Sequence, residues 1–426
     1  DALRVARALQ TGETLLVIGP PGQGVSAVDL ESLFLPSEAI ERAGVSAAGV
    51  IGPRAQELIA SAMARLVAPA QPVLIFVHHW QPGELLTGSQ LFTQTVQMLA
   101  QRGIDCVEWA AIEQPMHPSL DSVDPLGTRP RVYMVLAADS TEQSNTSGLS
   151  GVKRAEALGG VVQQLINEGR NLIISLPPSI FPSSGQPDPL VRAIEPFGIS
   201  AETGRPLLHE KMGPMGRFAD PVTRMLPETG DHPIAQAISG LNTVMTWAIP
   251  LEIQPTPGVD AQPLVKIVGD EQTWGESSWL TLWRRNNQSR QVMPNQPVFN
   301  ASDDLRHDAW VLAAGAERTF AGQSQRLIVV GSNAIGWSGD AILAGGSQVV
   351  DGRITTRWSG NQTLFESSIA WLAGMDDLIA PGTQARTIAT IKPLDAQQYS
   401  VIRWILLAGL PGLILILGMA YRLIFG

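Results

Sequence analysis

From Trp404 to Ala420 the chain reads WILLAGLPGLILILGMA, an apolar run without a charge, bounded by Arg403 on one side and by Tyr421 and Arg422 on the other. No other stretch narrows the possible folds as much. At about 1.5 Å of rise per residue, a helix here, with its aromatic and arginine ends reaching toward headgroups, comes close to the roughly 30 Å core of a bilayer. A buried core helix is the alternative, but apolar runs of that kind typically extend over roughly 10–14 residues. The sequence therefore predicts one C-terminal transmembrane helix. An interior proline such as Pro411 costs a soluble helix about 3 kcal/mol, whereas in a membrane neighbouring helices resatisfy the freed backbone. Gly409, Pro411, Gly412 and Gly418 are the candidate positions for packing against other membrane helices.

A formal charge of −10 at pH 7 and a pI near 5.1 argue against a nucleic-acid partner, because phosphate backbones are met by basic patches that displace counterions. The one cysteine, Cys106, has no partner for an internal disulfide and leaves no cysteine-rich metal site available. The first residues, DALRVARALQ, are too polar and too short of apolar length for a signal peptide, and without an initiator methionine the chain reads as a fragment. Arg386, Lys392 and Arg403 leave the membrane orientation ambiguous from charge alone.

Residues 14–18, TLLVI, read as a short buried strand running into GPPGQGVSA. That glycine-rich turn lacks the lysine of a phosphate-binding loop, since Val25 precedes Ser26, and a strand-end turn is sufficient. Between about 54 and 200 helical and strand patterns alternate. ELIASAMARLV is helical in pattern, PVLIFV (72–77) is a buried strand, and Ser89 is a cap for a helix carrying Phe92, Val96 and Leu99 that Gly103 closes. IDCVEW (104–109) and RVYMVLA (131–137) follow as strands. A helix over 150–168 places Leu158, Val161, Val162, Leu165 and Ile166 on one face, Gly169 ends it, and LIISL (172–176) comes next. This order predicts an α/β fold with a mostly parallel layered sheet and helices on both faces, flavodoxin- or amidotransferase-like.

Ligands of such sheets gather beyond the carboxyl ends of the strands. Those ends carry His78, His79 and Trp80, then Ala138-Asp139, then Pro177-Pro178. His78, His79, Trp80 and Asp139 are thus the candidate ligand-binding residues, with Trp80 as a stacking face; loop residues folding over the sheet edge are the structural alternative. No G-x-S-x-G or G-x-C-x-G elbow is present, and Cys106 falls inside a strand, so no catalytic residue is assigned. The six histidines form neither H-x-x-x-H nor H-E-x-x-H, and no metal or other cofactor is expected.

Beyond 185, proline and glycine become dense. PLVRAIEPFGI reads as a short helix and a turn, 203–232 as largely loop, and DHPIAQAI as a helix capped by Asp231. Residues 254–263 form a connector; LVKIV (264–268), WVLAAGA (310–316) and RLIVVG (326–331) are strands, separated by a polar stretch at 284–308. A last helix spans about 361–374, with Leu364, Ser368, Trp371 and Leu372 facing inward, and a polar stalk over 376–400 leads to the span. The expected organisation is an N-terminal remnant (1–53), an α/β domain (54–255), a second α/β lobe (256–395), and stalk plus membrane helix (396–426).

Several of these pieces resemble, in order, the GldG-like family of auxiliary components of ABC transport systems, first associated with gliding motility, whose α/β module is related to a domain of intraflagellar transport proteins. PVLIFVHHWQPGE (72–84) resembles the family's strand and Gly-His-Gly-Glu turn, although His78 stands where glycine is frequent and Trp80-Gln81-Pro82 lengthens the turn. LGGVVQQLINEGRNLIISLPP (158–178) resembles its helix, glycine turn and strand, and LVRAIEPFGI with DHPIAQAI its lobe. RLIVVGSNAI (326–335), GNQTLFESSIAWLAGMDDLI (360–379) and the closing apolar run resemble its C-terminal block. The resemblance implies a noncatalytic auxiliary subunit anchored in the bacterial inner membrane by one C-terminal span. It also implies a mostly extracytoplasmic chain, a permease partner in the bilayer and an ATPase on the cytoplasmic side. A free-standing membrane-anchored glycan- or peptide-binding protein is the alternative, and a hydrolase with catalytic pairs drawn from distant segments a third.

Overall fold

Every residue from Val73 to His78 is buried, which requires a strand covered on both faces. The computed structural model describes residues 14–19, 25–29, 63, 66, 70–88, 91–143, 148–213, 216–286, 297–339, 347–350, 353–356 and 358–379. It divides into two units. One comprises Asp1–Lys211 with Ala219–Thr387, and the other Met212–Phe218 with Ile388–Gly426. Within the second unit, the Phe218 ring packs where a side chain on Gly213 would stand.

In the first unit, β1 (Thr14–Ile18) and β2 (Val25–Asp29) pair antiparallel. Ile18 is 75% exposed, so β1 is a surface ribbon rather than the buried strand its apolar letters suggest. Four strands follow: β3 (Val73–His78), β4 (Asp105–Ala110), β5 (Arg131–Leu136) and β6 (Asn171–Ser175). Between them stand helices α1 (Thr93–Gln101) and α2 (Gly151–Asn167). Alternation along each strand builds two cores. On one side Leu74, Phe76, Val132, Met134 and Ile173 meet Phe92 and Leu99. On the other Val73, Ile75, Val77, Tyr133, Val135, Leu172 and Ile174 meet Leu158, Val162, Leu165 and Ile166 of α2. Each such aliphatic side chain contributes about 1.5–3 kcal/mol by leaving water. Arg129 ties the amino ends of the strands together, donating to the Gln71 and Pro72 carbonyls and pairing with Asp105 at 2.5 Å.

Helix α3 (Pro189–Ile194), capped by the Asp188 side chain, crosses α2 closely. A Cβ on Gly159 would lie 2.5 Å from Pro189 Cβ. Short strand β7 (Ile199–Ala201) precedes β8 (Leu207–Gly213), β9 (Gly216–Asp220) and β10 (Val222–Met225), which occupy the 203–232 segment expected to be loop. Its sequence alternates around polar letters, and a half-exposed ribbon needs no continuous apolar run. Helix α4 (Pro233–Ile238) is capped by His232 rather than Asp231, because the His232 ring accepts the Ile234 N–H. Then come β11 (Thr243–Thr246), β12 (Leu251–Ile253), β13 (Val259–Val268), β14 (Thr273–Gly275) and α5 (Trp279–Asn286). The 254–263 connector is thus partly strand. The chain continues through β15 (Ala309–Phe320), β16 (Gln323–Val330), α6 (Ala334–Trp337), β17 (Ser347–Val350), β18 (Arg353–Thr356) and α7 (Ser359–Leu372). Leu364, Ser368, Trp371 and Leu372 of α7 are all buried.

The central sheet has nine strands in the order β4-β3-β5-β6-β16-β15-β12-β7, with β13 also paired to β15. Its four pairings from β4 to β16 are parallel, and its other four are antiparallel. The mostly parallel α/β sheet expected from the sequence is therefore corrected to a mixed sheet. The change of direction comes from a tight hairpin: Phe320 pairs with Gln323, leaving Ala321 and Gly322 as a two-residue turn at φ 48° and 80°. Two central residues at positive φ are what a type I′ turn needs to match strand twist.

The expected membrane helix is also corrected. Among the described residues no helix is long and apolar enough to cross a membrane. Helix α2, at 17 residues, carries Lys153, Arg154 and Glu156 and reaches about 25 Å. The run 404–420, with Gly409, Pro411, Gly412 and Gly418, lies outside the described residues, as do the ELIASAMARLV segment apart from Met63 and Leu66, the Ser89 cap and the 380–400 part of the stalk. Placement in the inner membrane rested on that helix and is withdrawn with it.

Candidate functional site

His78 closes β3, and its ring is fully buried. Its Nδ1 accepts the Trp80 N–H at 3.1 Å, which leaves the proton on Nε2. That nitrogen stands 3.0 Å from Glu108 Oε1 on neighbouring β4. Glu108 is itself occupied, accepting the Leu85 and Leu86 N–H groups at 3.1 and 3.4 Å from the helical turn Glu84–Gly88. Burial lowers the His78 pKa, against the opposing pull of Glu108 and Glu84.

His79 is also buried, with its ring 4.4 Å from that of Trp80. Burial, helped by the Arg154 charge and His78, pushes its pKa down to about 3. Its Nδ1 has no partner among the described residues. Arg154, from the first turn of α2, is 1% exposed and pairs with Glu142. Trp80, half-buried, also meets the His78 ring at 5.5 Å, tilted by 36°.

Three of the four sequence-derived residues therefore gather in one place, while Asp139 is committed elsewhere. Its Oδ1 accepts from the Thr141 N–H and hydroxyl at 2.8 and 2.7 Å, and Thr141 Oγ1 in turn accepts the Trp283 indole N–H at 3.0 Å. Trp283 meets Trp247 and Trp279 edge to face at 5.1 and 5.9 Å. Glu108, Glu142 and Arg154 escape the sequence reading. The signals for Glu108 and Arg154 were a carboxylate inside the apolar strand IDCVEW and a guanidinium one helical turn before Leu158; Glu142 had none.

Burial, with Asp105 beside it, pushes the Cys106 thiol up to about 12, far from the thiolate that reacts at neutral pH. Among the described residues no cluster of three or more His, Cys, Asp or Glu side chains could hold a metal. Two hollows, of about 270 and 200 Å³, lie along α4, β13 and β15, lined by none of the four candidate residues.

No family model matches the sequence, and no curated protein matches it. Among solved structures the chain is similar to the crystal structure of Agd3, described as a novel carbohydrate deacetylase, at 14% identity and a TM-score of 0.27. The match covers 62% of this chain and 29% of that one, and a likeness so low carries neither fold nor function.

Proposed function

We propose that this chain is a noncatalytic accessory subunit of an ABC transport system, acting through contact with its permease and, through that, with the ATPase. The observation that carries it is the closure of the strand ends by their own side chains. His78 and His79 are buried and held neutral, Trp80 is packed against both rings, and Glu108 is spent on backbone donors. A general base needs reach to a substrate and a pKa near the working pH; His79 at about 3 offers neither. The ordered resemblance of 72–84, 158–178, 326–335 and 360–379 to the GldG-like family supports the transport setting. Affinity purification of the tagged chain from its native cells tests this reading. Recovery of a permease and an ATPase with it is expected, and recovery of the chain alone under conditions that keep transporters intact overturns it.

A further inference from the structure

His232 stands at the start of α4, away from the strand ends. Because its Nδ1 accepts the Ile234 N–H at 3.2 Å, its proton sits on Nε2. The residue is 6% exposed. Burial, with the Arg326 charge nearby, lowers its pKa to about 4, so at neutral pH the ring is uncharged and carries one N–H donor. That donor has no acceptor among the described residues. A buried donor left unmet costs about 1–3 kcal/mol, and its surroundings supply a place for the missing acceptor.

His232, Asp231, Asp260, Gln262, Glu317 and Trp371 line the hollow of about 200 Å³. Gly315 belongs to the same wall, and a Cβ there would come 3.4 Å from Nε2; glycine leaves the approach to that nitrogen unfilled. The hollow of about 270 Å³ shares Asp231 and Gln262 and extends the trough toward Glu228 and Lys266, which pair at 3.4 Å. Both volumes fall below the roughly 300–1,000 Å³ of pockets for drug-sized ligands, a scale that suits one small unit.

The carboxylates keep acceptor capacity. Among the described residues Asp260 takes only the Gln262 amide, at 3.2 and 3.1 Å on its two oxygens. Glu317 takes the Ser324 hydroxyl at 2.6 Å and Arg326 Nε at 3.1 Å. Each carboxylate oxygen has two lone pairs. Trp371 offers no open face, since the Arg326 guanidinium lies 4.8 Å over its ring and His232 meets it edge-on at 4.8 Å. The trough thus asks for an acceptor atom beside His232 and donor hydrogens beside the carboxylates. A hydroxyl supplies both; an ammonium group leaves the His232 N–H unmet, and an anion is repelled by three acidic side chains.

We propose that this trough binds a neutral polyhydroxylated ligand, a sugar unit, with His232 Nε2–H donating to a sugar oxygen and Asp260 and Glu317 accepting from sugar hydroxyls. The site is separate from the strand ends and does not depend on the accessory role. Saturation-transfer NMR on the full chain with D-glucose, N-acetyl-D-glucosamine and, as an amine probe, putrescine tests it. His232→Asn keeps an N-cap acceptor and removes the Nε2–H; Asp260→Asn, at an exposed position, leaves the fold intact if the first variant does not. At millimolar concentration at least one sugar is expected to bind, weakened about tenfold by either substitution, with an unchanged thermal midpoint in Asp260→Asn. Absence of binding by both sugars, equal affinity in the variants, or putrescine binding in preference to the sugars overturns the proposal.

Discussion

The His79 imidazole is held neutral down to about 3, against 6.5 in an unfolded chain, and His209 and His232 behave alike at about 4. Between those values and 6.5 the unfolded chain binds protons that the native chain refuses, so stability rises with pH through the window and is lost on acidification. Thermal unfolding measured from pH 7 to pH 4 is expected to show a falling midpoint. His79→Gln, which cannot titrate, should flatten part of that slope; an unchanged slope contradicts the burial argument. Glu108→Ala removes the carboxylate that accepts the Leu85 and Leu86 N–H groups and stands beside His78. A loss of about 1–3 kcal/mol in urea unfolding is expected, with a smaller loss for Glu108→Gln. At this scale the sequence exposed the histidine pair, because it ends an apolar run, but not Glu108 or Arg154. A residue's neighbours across a sheet depend on strand order, which no local pattern encodes.

Elements were legible where burial is two-sided. PVLIFV (72–77), RVYMVLA (131–137) and LIISL (172–176) read as strands, and the α2 face reads from its i, i+3, i+4 spacing, because continuous or 3.6-periodic apolar letters leave few alternatives. Ribbons β8 to β10 were not, since half-exposed strands mix polar and apolar residues. The β15–β16 hairpin was missed because its turn is Ala321-Gly322 instead of Asn-Gly. Ala321 at φ 48° is strained relative to asparagine, which tolerates that region. Ala321→Asn is therefore expected to stabilise the chain, by about 0.5–1 kcal/mol in denaturant unfolding; Gly322→Val, forcing a branched side chain to φ 80°, should destabilise it by at least as much. Asn361 adds a link between elements that sequence alone could not supply. Its amide accepts the Val244 N–H at 2.8 Å and donates to the Val244 carbonyl at 2.7 Å, standing in for a strand neighbour of β11.

For the whole molecule, the rhythm of residues 54–200 pointed to a mostly parallel layered sheet, and the sheet is instead mixed, with four parallel and four antiparallel pairings. The antiparallel half joins the parallel half through β16, which lies parallel to β6 and antiparallel to β15, so parallel and antiparallel strands share one hydrogen-bonded surface. A short hairpin was enough to change the architecture, and no composition count anticipates that. The proposed accessory role has the chain work by being held against a partner. The most direct measurement is ATP hydrolysis by the purified permease–ATPase pair, with and without the chain. The account predicts a change in rate that saturates at stoichiometric addition and survives His79→Gln. No effect at any ratio, together with turnover of an ester, amide or glycoside by the chain alone that His79→Gln abolishes, would contradict it.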